Sequence, residues 1–200
     1  MNTPGAKRRI GLLGGTFDPI HIGHLITAQE IVIQCGLERM VFVPSARPPH
    51  KDDRSMTDVR HRLEMTALAI ESHPRFELSD IELERPGTSY TVDTLKQMRA
   101  LLGEGVELYF LIGTDNVHEM WTWRNPEEIL DLCTVVVASR PGFKPNPSDR
   151  PLTARMTFVL TPRIEISSTE IRARVAAGKP ITYWVPPAVE HYIQTHRLYL

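Results

Sequence analysis

The sequence is poor in cysteine and has no long apolar run. Its two cysteines, Cys35 and Cys133, lie far apart, each within an apolar pattern. So few thiols are typical of a reducing compartment, and we interpret both as reduced, buried side chains rather than as a disulfide or a metal site. No apolar stretch approaches the roughly 20 residues that cross a bilayer. Residues 1–9 lack the apolar region of a secretory signal. These absences predict a cytoplasmic protein.

The chain also lacks an excess of charge of either sign. Its 23 Lys and Arg residues nearly balance its 24 Asp and Glu residues, so the net charge is -1 at pH 7. The basic excess that draws proteins to nucleic acid or to anionic membranes is therefore missing, and we expect neither partner. Any binding of phosphate must come from a focused site. The 200 residues, 42% of them hydrophobic, suffice for one α/β domain.

The common phosphate-binding and hydrolase motifs are absent as well. The chain has no G-x-x-x-x-G-K-[ST] loop, no G-x-G-x-x-G after its first apolar run and no serine nucleophile elbow. What it has is GGTFDPIHIGH at residues 14–24, between an apolar run and a helical pattern. A glycine-rich strand-to-helix turn exposes backbone N–H groups at the positive end of a helix dipole. His21 and His24 add protonatable donors, so this segment predicts a nucleotide site.

Two other interpretations of residues 14–24 stay open on the residues alone. The glycines and histidines can form a tight turn followed by a capped helix. The His-x-x-His pair can also suggest zinc, although no third ligand follows at a usable spacing.

Strand-like and helix-like patterns alternate along the chain. Strand patterns occupy residues 9–14, 40–44, 76–84, 108–112, 134–139 and 156–161. Helical patterns occupy residues 21–35, 58–72, 91–102, 168–178 and 186–196, and a further helix starts at Asn125. Residues 141–151 hold four prolines and are the least structured segment, either a mobile flap or a plain connection. The alternation predicts an α/β fold, a doubly wound parallel sheet in a single domain.

Polar segments follow several of the predicted strands. Ligands of open parallel sheets bind beyond the carboxyl ends of the strands, so we expect residues 14–24, 44–51, 113–115 and 139–142 to converge there. ISSTEIR at residues 166–172 adds hydroxyls at a helix start, with Arg172 one turn on, which suits phosphate. Ser167 and Glu170 have the spacing of a capping box, which accounts for the same residues without a ligand.

Together these segments resemble a known family. GGTFDPIHIGH and ISSTEIR are similar to the two motifs of the HxGH nucleotidyltransferase superfamily. PPHK at residues 48–51, SYTVDTL at residues 89–95 and GTD at residues 113–115 followed by Trp123 resemble bacterial nicotinate-nucleotide adenylyltransferase. The resemblance runs from about residue 8 to residue 199. It implies a Rossmann-like fold and one nucleotidyltransferase domain over residues 1–200, with a C-terminal helical part at residues 168–200.

The resemblance also implies a reaction, namely transfer of the adenylyl group of ATP to nicotinate mononucleotide. The products are nicotinate adenine dinucleotide and pyrophosphate, a step of NAD biosynthesis, and the Mg²⁺ is carried mainly by the ATP phosphates. The attacking phosphate has a second pKa of ~6 and is already largely ionised, so no protein base is required. Positioning and charge stabilisation remain as the tasks of the protein. The oligomeric state stays open.

The resemblance carries over to individual residues. The catalytic positions that it implies are His21, His24, Lys51 and Arg172. The ATP-binding positions are Gly14, Gly15, Thr16, Phe17, Gly113, Asp115, Arg140, Ser167, Ser168 and Thr169. The nicotinate mononucleotide positions are Lys51, Tyr90, Thr91 and Trp123, and no metal-ligating residue is implied.

The resemblance leaves two questions open: which tryptophan stacks on the pyridine ring, and what role Arg62 has. Trp121 stands where the family commonly has proline, so either Trp121 or Trp123 could stack on the pyridine ring. Arg62 matches a family arginine, but a solvated or ion-paired helix face accounts for it equally well.

Three alternative functions are compatible with part of this pattern. Phosphopantetheine adenylyltransferase shares the first motif but is not expected to carry SYTVDTL and PPHK. A class I aminoacyl-tRNA synthetase fragment shares His-x-Gly-His, but a KMSKS-like loop is absent. A catalytically silent nucleotide sensor remains an alternative from a different class, although intact His21, His24 and Arg172 argue against it.

Overall fold

Six parallel strands form one sheet in the computed structural model, which describes residues 7–49, 56–139, 142–143 and 150–200. The strand order is β3-β2-β1-β4-β5-β6, and every pairing is parallel. The strands are β1 Arg8–Gly15, β2 Arg39–Pro44, β3 Phe76–Leu78, β4 Val106–Gly113, β5 Thr134–Ser139 and β6 Thr157–Leu160. The predicted doubly wound α/β fold is confirmed.

Helices cover both faces of this sheet. They are α1 Ile22–Gln34, α2 Val59–Ile70, α3 Thr91–Leu102, α4 Asp115–Glu119, α5 Pro126–Leu132, α6 Arg150–Thr153, α7 Ser168–Ala176 and α8 Pro187–Thr195, with a 3₁₀ turn over Met120–Thr122. Leu95 of α3 and Ile129 of α5 belong to one buried cluster, and Ile31 of α1 and Ile171 of α7 belong to another. A sheet buried on both faces needs strands that are apolar throughout, which is why five of the six β2 residues are buried.

The order of the strands reverses between β1 and β4. From β1 the chain proceeds to β2 and β3 on one side, and β4 leads to β5 and β6 on the other. Helices that leave adjacent strands in opposite directions open a crevice at the carboxyl edge of the sheet. Here that crevice lies where β1 ends at Gly15 and β4 ends at Gly113.

The third predicted strand is wrong beyond Leu78. The Ser79 N–H still donates to the Phe42 carbonyl, but the Leu83 N–H then donates to the Asp80 carbonyl and closes a turn. The adjacent residues Ile81 and Glu82 are both buried. A strand would direct them to opposite faces, and β3 lies at the edge of the sheet, so the apolar spacing here reports a buried turn.

The prediction of an unstructured segment at residues 141–151 is wrong at its far end. Pro151 lies in the short helix α6, and residues 142–143 are irregular. Residues 140–141 and 144–149 lie outside the described residues, so the choice between a mobile flap and a plain connection stays open.

Neither cysteine forms a disulfide in the structure, and both are less buried than the apolar patterns around them predict. Cys35 and Cys133 are free and partly buried, and burial raises the pKa of the Cys133 thiol to about 12. Within the described part of the chain, no helix has both the length and the apolar character needed to span a membrane.

Candidate active site

Two cavities open at the carboxyl edge of the sheet and share a wall. We call the first the phosphate chamber; it has a volume of about 580 Å³ and is lined by residues 14–18, 113–116 and 166–169 together with His21, His24 and Arg172. The second, the aromatic cavity, has a volume of about 440 Å³ and is lined by Tyr90, Thr91, Phe110 and Trp123 among others. Gly14, Gly15 and Thr16 line both. The predicted segments 14–24, 44–49 and 113–115 therefore converge here. Ser139 and Gly142 line neither cavity, and residues 50–51 and 140–141 lie outside the described residues.

The shared wall includes two glycines with different surroundings. A Cβ added at Gly15 would lie 2.9 Å from Cε1 of the buried Phe17 ring. The Phe17 backbone has a positive φ of 48°. A Cβ added at Gly14 would meet only Phe110, at an ordinary contact distance of 3.6 Å. Packing therefore requires glycine at position 15. At position 14 the protein has room for a methyl group, and glycine instead keeps the wall between the two cavities thin.

The two histidines stand at the start of α1. His21 is the N-cap residue, and its backbone N–H donates to Nδ1 of His24 at 3.2 Å. An Nδ1 that accepts a hydrogen bond leaves the proton of the neutral imidazole on Nε2. The His24 ring also meets the Phe17 ring edge to face, with 5.2 Å between the centroids. His24 thus has a defined tautomer and orientation at the wall of the phosphate chamber.

Both histidines are uncharged near neutral pH. Burial lowers the pKa of His21 to about 4. Burial, together with the neighbouring His21, holds the pKa of His24 well below its ordinary value. Among the described residues, the buried Nδ1 of His21 has no hydrogen-bond partner. An unpartnered buried polar atom is costly, and such atoms cluster at functional sites.

The second motif is tied to the first by hydrogen bonds. Ser168 Oγ donates to the Pro19 carbonyl at 2.8 Å, and Arg172 Nη1 donates to the Asp18 carbonyl at 2.8 Å. Ser167 Oγ accepts from the Glu170 N–H at 3.1 Å, so the capping interpretation is correct for this residue. The cap also brings the N-terminus of α7 to the phosphate chamber, so the two interpretations of ISSTEIR are compatible.

The tryptophans separate clearly. Trp123 is partly buried, lines the aromatic cavity and packs against Phe110 with 6.3 Å between ring centroids. The side chain of Trp121 is exposed and does not line that cavity. The geometry therefore favours Trp123 as the stacking residue.

One cation at the rim of the aromatic cavity was missed by sequence reasoning. The Arg124 guanidinium lies over the Tyr90 ring, with its Cζ 4.9 Å from the centroid, and pairs with Asp93 at 3.6 Å. Only its position directly after Trp123 could have drawn attention to it.

A buried carboxylate in the same cavity was also missed. Glu82 accepts from the Thr94 hydroxyl at 2.7 Å and from the Ala46 N–H at 3.3 Å. Glu82 thus links the segment after β2 to the start of α3. It was missed because it lies in the part of the predicted strand, beyond Leu78, that is a turn in the structure.

Arg62 of α2 does not lie on a solvated helix face. Its side chain is buried, and it donates to the carbonyls of Thr16 at 2.7 Å, Ser45 at 2.8 Å and Thr57 at 2.9 Å. The expectation of a solvated face is therefore wrong. The guanidinium links the shared wall to the segment that follows β2.

Two predicted site residues, Lys51 and Arg140, lie outside the described residues. Gly113 and Asp115, at the end of β4 and the start of α4, line the phosphate chamber. Residues 115–122 form α4 and the 3₁₀ turn, which the sequence patterns did not indicate.

Comparison with known proteins decides the family. The model of the cytidylyltransferase-like family matches residues 12–174. A protein of Thermoanaerobacter sp. (strain X514) is 46% identical over 198 residues, covering 96% of this chain and 94% of its own. A protein of Thermus thermophilus is 46% identical over 191 residues, covering 96% and 99%. Both carry the name "Probable nicotinate-nucleotide adenylyltransferase". The chain belongs to the nicotinate-nucleotide adenylyltransferase family.

Solved structures agree on the fold. The nicotinic acid mononucleotide adenylyltransferase of Plasmodium falciparum, complexed with NaAD, aligns with a TM-score of 0.80 at 23% identity, covering 96% of this chain and 97% of that one. A crystal structure from Vibrio parahaemolyticus, of "a Putative Nicotinate-nucleotide Adenylyltransferase", aligns with a TM-score of 0.68 at 22% identity, covering 96% of this chain and 95% of that one. The chain thus shares the fold of these solved structures.

Proposed function

We propose that the protein transfers the adenylyl group of ATP to nicotinate mononucleotide and releases pyrophosphate. The observation that carries the proposal is that the phosphate chamber and the aromatic cavity adjoin each other. Both are lined by Gly14, Gly15 and Thr16. Joining two nucleotides requires one site for each and a point where their phosphates meet. The names of the relatives supply the same activity.

In the proposed reaction the ATP triphosphate occupies the phosphate chamber. An oxygen of the acceptor phosphate forms a bond to the α-phosphorus. The bond from that phosphorus to the oxygen that bridges the α- and β-phosphates breaks. The negative charge that develops on the leaving pyrophosphate needs donors fixed in advance. His24 offers its Nε2–H, the N-terminus of α7 offers backbone N–H groups, and Arg172 offers a permanent cation. Gly113 and Asp115 are proposed to meet the adenosine ribose.

The acceptor occupies the aromatic cavity in this proposal. The indole of Trp123 suits the positively charged pyridine ring, since a cation over a tryptophan face is stabilised by about 0.5–2 kcal/mol. The nicotinate carboxylate meets the N-terminus of the 12-residue helix α3 at Tyr90 and Thr91, where a helix dipole favours an anion. The Arg124 guanidinium over Tyr90 adds a cation at the same place.

For Lys51 and Arg140 the proposal rests on the sequence alone. Lys51 is proposed as a cation near the reacting phosphates, and Arg140 as a contact to the nucleotide from the end of β5. The single nucleotidyltransferase domain over residues 1–200 and the cytoplasmic location belong to the same proposal.

The proposed metal is Mg²⁺ carried by the ATP phosphates. Of the two carboxylates that line the phosphate chamber, Asp18 already accepts hydrogen bonds on both oxygens, from Tyr199 and Thr57. Asp115 is the other, and the described residues contain no group of three or more His, Cys, Asp or Glu suited to a metal ion. Such a donor set fits an ion that arrives with its substrate and keeps phosphate and water ligands, and Mg²⁺ there neutralises phosphate charge.

An acceptor panel tests the proposal. Pyrophosphate release from ATP and Mg²⁺ is measured with nicotinate mononucleotide, nicotinamide mononucleotide or phosphopantetheine as the acceptor, each offered separately. We expect the highest kcat/KM with nicotinate mononucleotide. Highest turnover with phosphopantetheine, or none with either mononucleotide, would overturn the proposal. Binding of ATP without turnover of any acceptor would instead favour a nucleotide sensor.

A further inference from the structure

Tyr199, far from both motifs in sequence, reaches the first motif in space. Its hydroxyl donates to Oδ1 of Asp18 at 2.8 Å, across 181 residues of sequence. Tyr199 itself lies in the segment after α8 and has a positive φ of 67°. A bulky residue in the left-handed region is disfavoured, and such a conformation persists where the surrounding contacts hold it. Burial raises the pKa of the Tyr199 hydroxyl, which therefore remains a donor at neutral pH.

Asp18 is the point at which several segments meet. Its side chain is 4% exposed, and its second oxygen, Oδ2, accepts from the Thr57 N–H at 3.2 Å. Its backbone carbonyl accepts from Arg172 Nη1 at 2.8 Å. The same residue thus connects the turn after β1, the segment before α2, the second motif and the segment after α8. It precedes His21 by only three residues.

The Asp18 carboxylate depends on its two donors. A buried carboxylate oxygen that loses its donor keeps its desolvation cost, and the surrounding chain relieves that cost by moving. Movement of Asp18 shifts the carbonyl that holds Arg172, and it shifts the turn that leads to His21. Asp18, His21 and Arg172 all line the phosphate chamber, and none of them lines the aromatic cavity. The effect of Tyr199 is therefore directed to one substrate.

We propose that Tyr199 is a positioning residue of the ATP half of the site, acting through Asp18 on Arg172 and on the turn that leads to His21. The inference rests on one part of the proposed function, the placement of ATP in the phosphate chamber, and not on the identity of the acceptor. The ATP half can be tested by itself.

The test is Tyr199→Phe, which keeps the ring and removes only the hydroxyl. We expect the Kd of a nonhydrolysable ATP analogue, measured by calorimetry, to rise about tenfold or more, the scale of one lost hydrogen bond to a charged group. In steady-state assays the KM for ATP should rise by a similar factor. The KM for the mononucleotide should stay within about twofold.

The matched control is Tyr192→Phe. The Tyr192 hydroxyl is hydrogen-bonded to Nδ1 of His61 at 2.9 Å, between α8 and α2 and away from both cavities. We expect this variant to bind the ATP analogue as the wild type does. An equal loss in both variants, or a Tyr199→Phe protein with unchanged affinity for the analogue, would overturn the proposal. A lower melting temperature with unchanged kinetics would do so too, because that pattern marks a purely structural bond.

A double-mutant cycle tests the route through Asp18. In an Asp18→Ala background, Tyr199→Phe should weaken analogue binding by less than about twofold, because the acceptor of the Tyr199 hydroxyl is gone. Full additivity of the two substitutions would overturn the route. Analogue binding does not depend on the acceptor. A wild-type protein that binds the analogue but turns over no mononucleotide would therefore refute the proposed function and leave this inference to be decided by its own result.

Discussion

The imidazole rings of His21 and His24 are stacked, with centroids 3.7 Å apart and an angle of 24° between the planes. Two imidazolium charges at this distance would repel each other, and the burial of both rings adds to the cost of charging either one. The pair is therefore neutral in the free protein, and it presents donors rather than charges to the phosphate chamber.

The histidine pair predicts a dependence of stability on pH. The pKa of His21 falls from an ordinary value of 6.5 to about 4 on folding, and the pKa of His24 falls in the same direction. The unfolded chain thus binds more protons than the folded one between these values. The contribution of the histidine pair to the free energy of unfolding is therefore fully present above about pH 6.5. It is lost progressively as the pH falls towards about 4.

Urea unfolding measures this directly. Between about pH 7.5 and about pH 5, the fall in the free energy of unfolding should be smaller in His24→Gln than in the wild type, by about 1 kcal/mol or more. His191→Gln, at an exposed position of α8, should behave as the wild type does. Equal slopes in all three proteins would mean that the pair is not depressed in pKa.

His24→Ala should lower kcat by about 10²-fold or more, the scale of losing one preorganised donor to developing charge. The reason is the Nε2–H that the Nδ1 contact with the His21 backbone leaves available to a phosphate. Steady-state assays with both substrates saturating give the value, and His191→Ala is the control. A kcat near that of the wild type would make His24 a structural residue.

The two glycines of the shared wall should respond differently to alanine. Gly15→Ala places a methyl group 2.9 Å from the Phe17 ring and should destabilise the protein by about 1–3 kcal/mol. Gly14→Ala makes an ordinary 3.6 Å contact with Phe110 and should leave the melting temperature nearly unchanged. Its methyl group takes up space at the shared wall, where the phosphates of the two substrates are proposed to meet, so kcat/KM should fall by about 10–100-fold. An active Gly14→Ala enzyme would contradict the proposed meeting point of the substrates.

The two tryptophans make a second matched pair. Trp123→Ala should raise the KM for the mononucleotide by about tenfold, because the indole lines the aromatic cavity. The KM for ATP should stay within about twofold. Trp121→Ala removes a 41% exposed side chain and should leave both constants unchanged. The opposite result for the two variants would transfer the stacking role to Trp121.

Local patterns were sufficient to predict the phosphate chamber. A strand, a glycine turn and a capped helix follow one another within about 30 residues, so the first motif carries its own geometry. The second motif could be placed at a helix N-terminus by its capping spacing, and Ser167 does cap α7. The sequence order of the strands also predicted the edge of the sheet where both motifs meet.

Residues with distant partners could not be predicted in this way. Arg62 contacts the Thr16 carbonyl 46 positions earlier, and Glu82 contacts the Ala46 N–H 36 positions earlier. A charged residue in a helix or a supposed strand indicates a solvated face when its backbone partners are unknown. Tyr199 is hidden for the same reason, since nothing near it in sequence indicates a bond to Asp18.

The most direct test of the two-cavity account follows the phosphorus atoms of ATP. ATP labelled at the α-phosphorus or at the γ-phosphorus is incubated with Mg²⁺ and nicotinate mononucleotide, and the products are separated. The account predicts that the α-label appears in nicotinate adenine dinucleotide and the γ-label in pyrophosphate, in equal amounts. A γ-label on the mononucleotide, or an α-label released as free AMP, would contradict it.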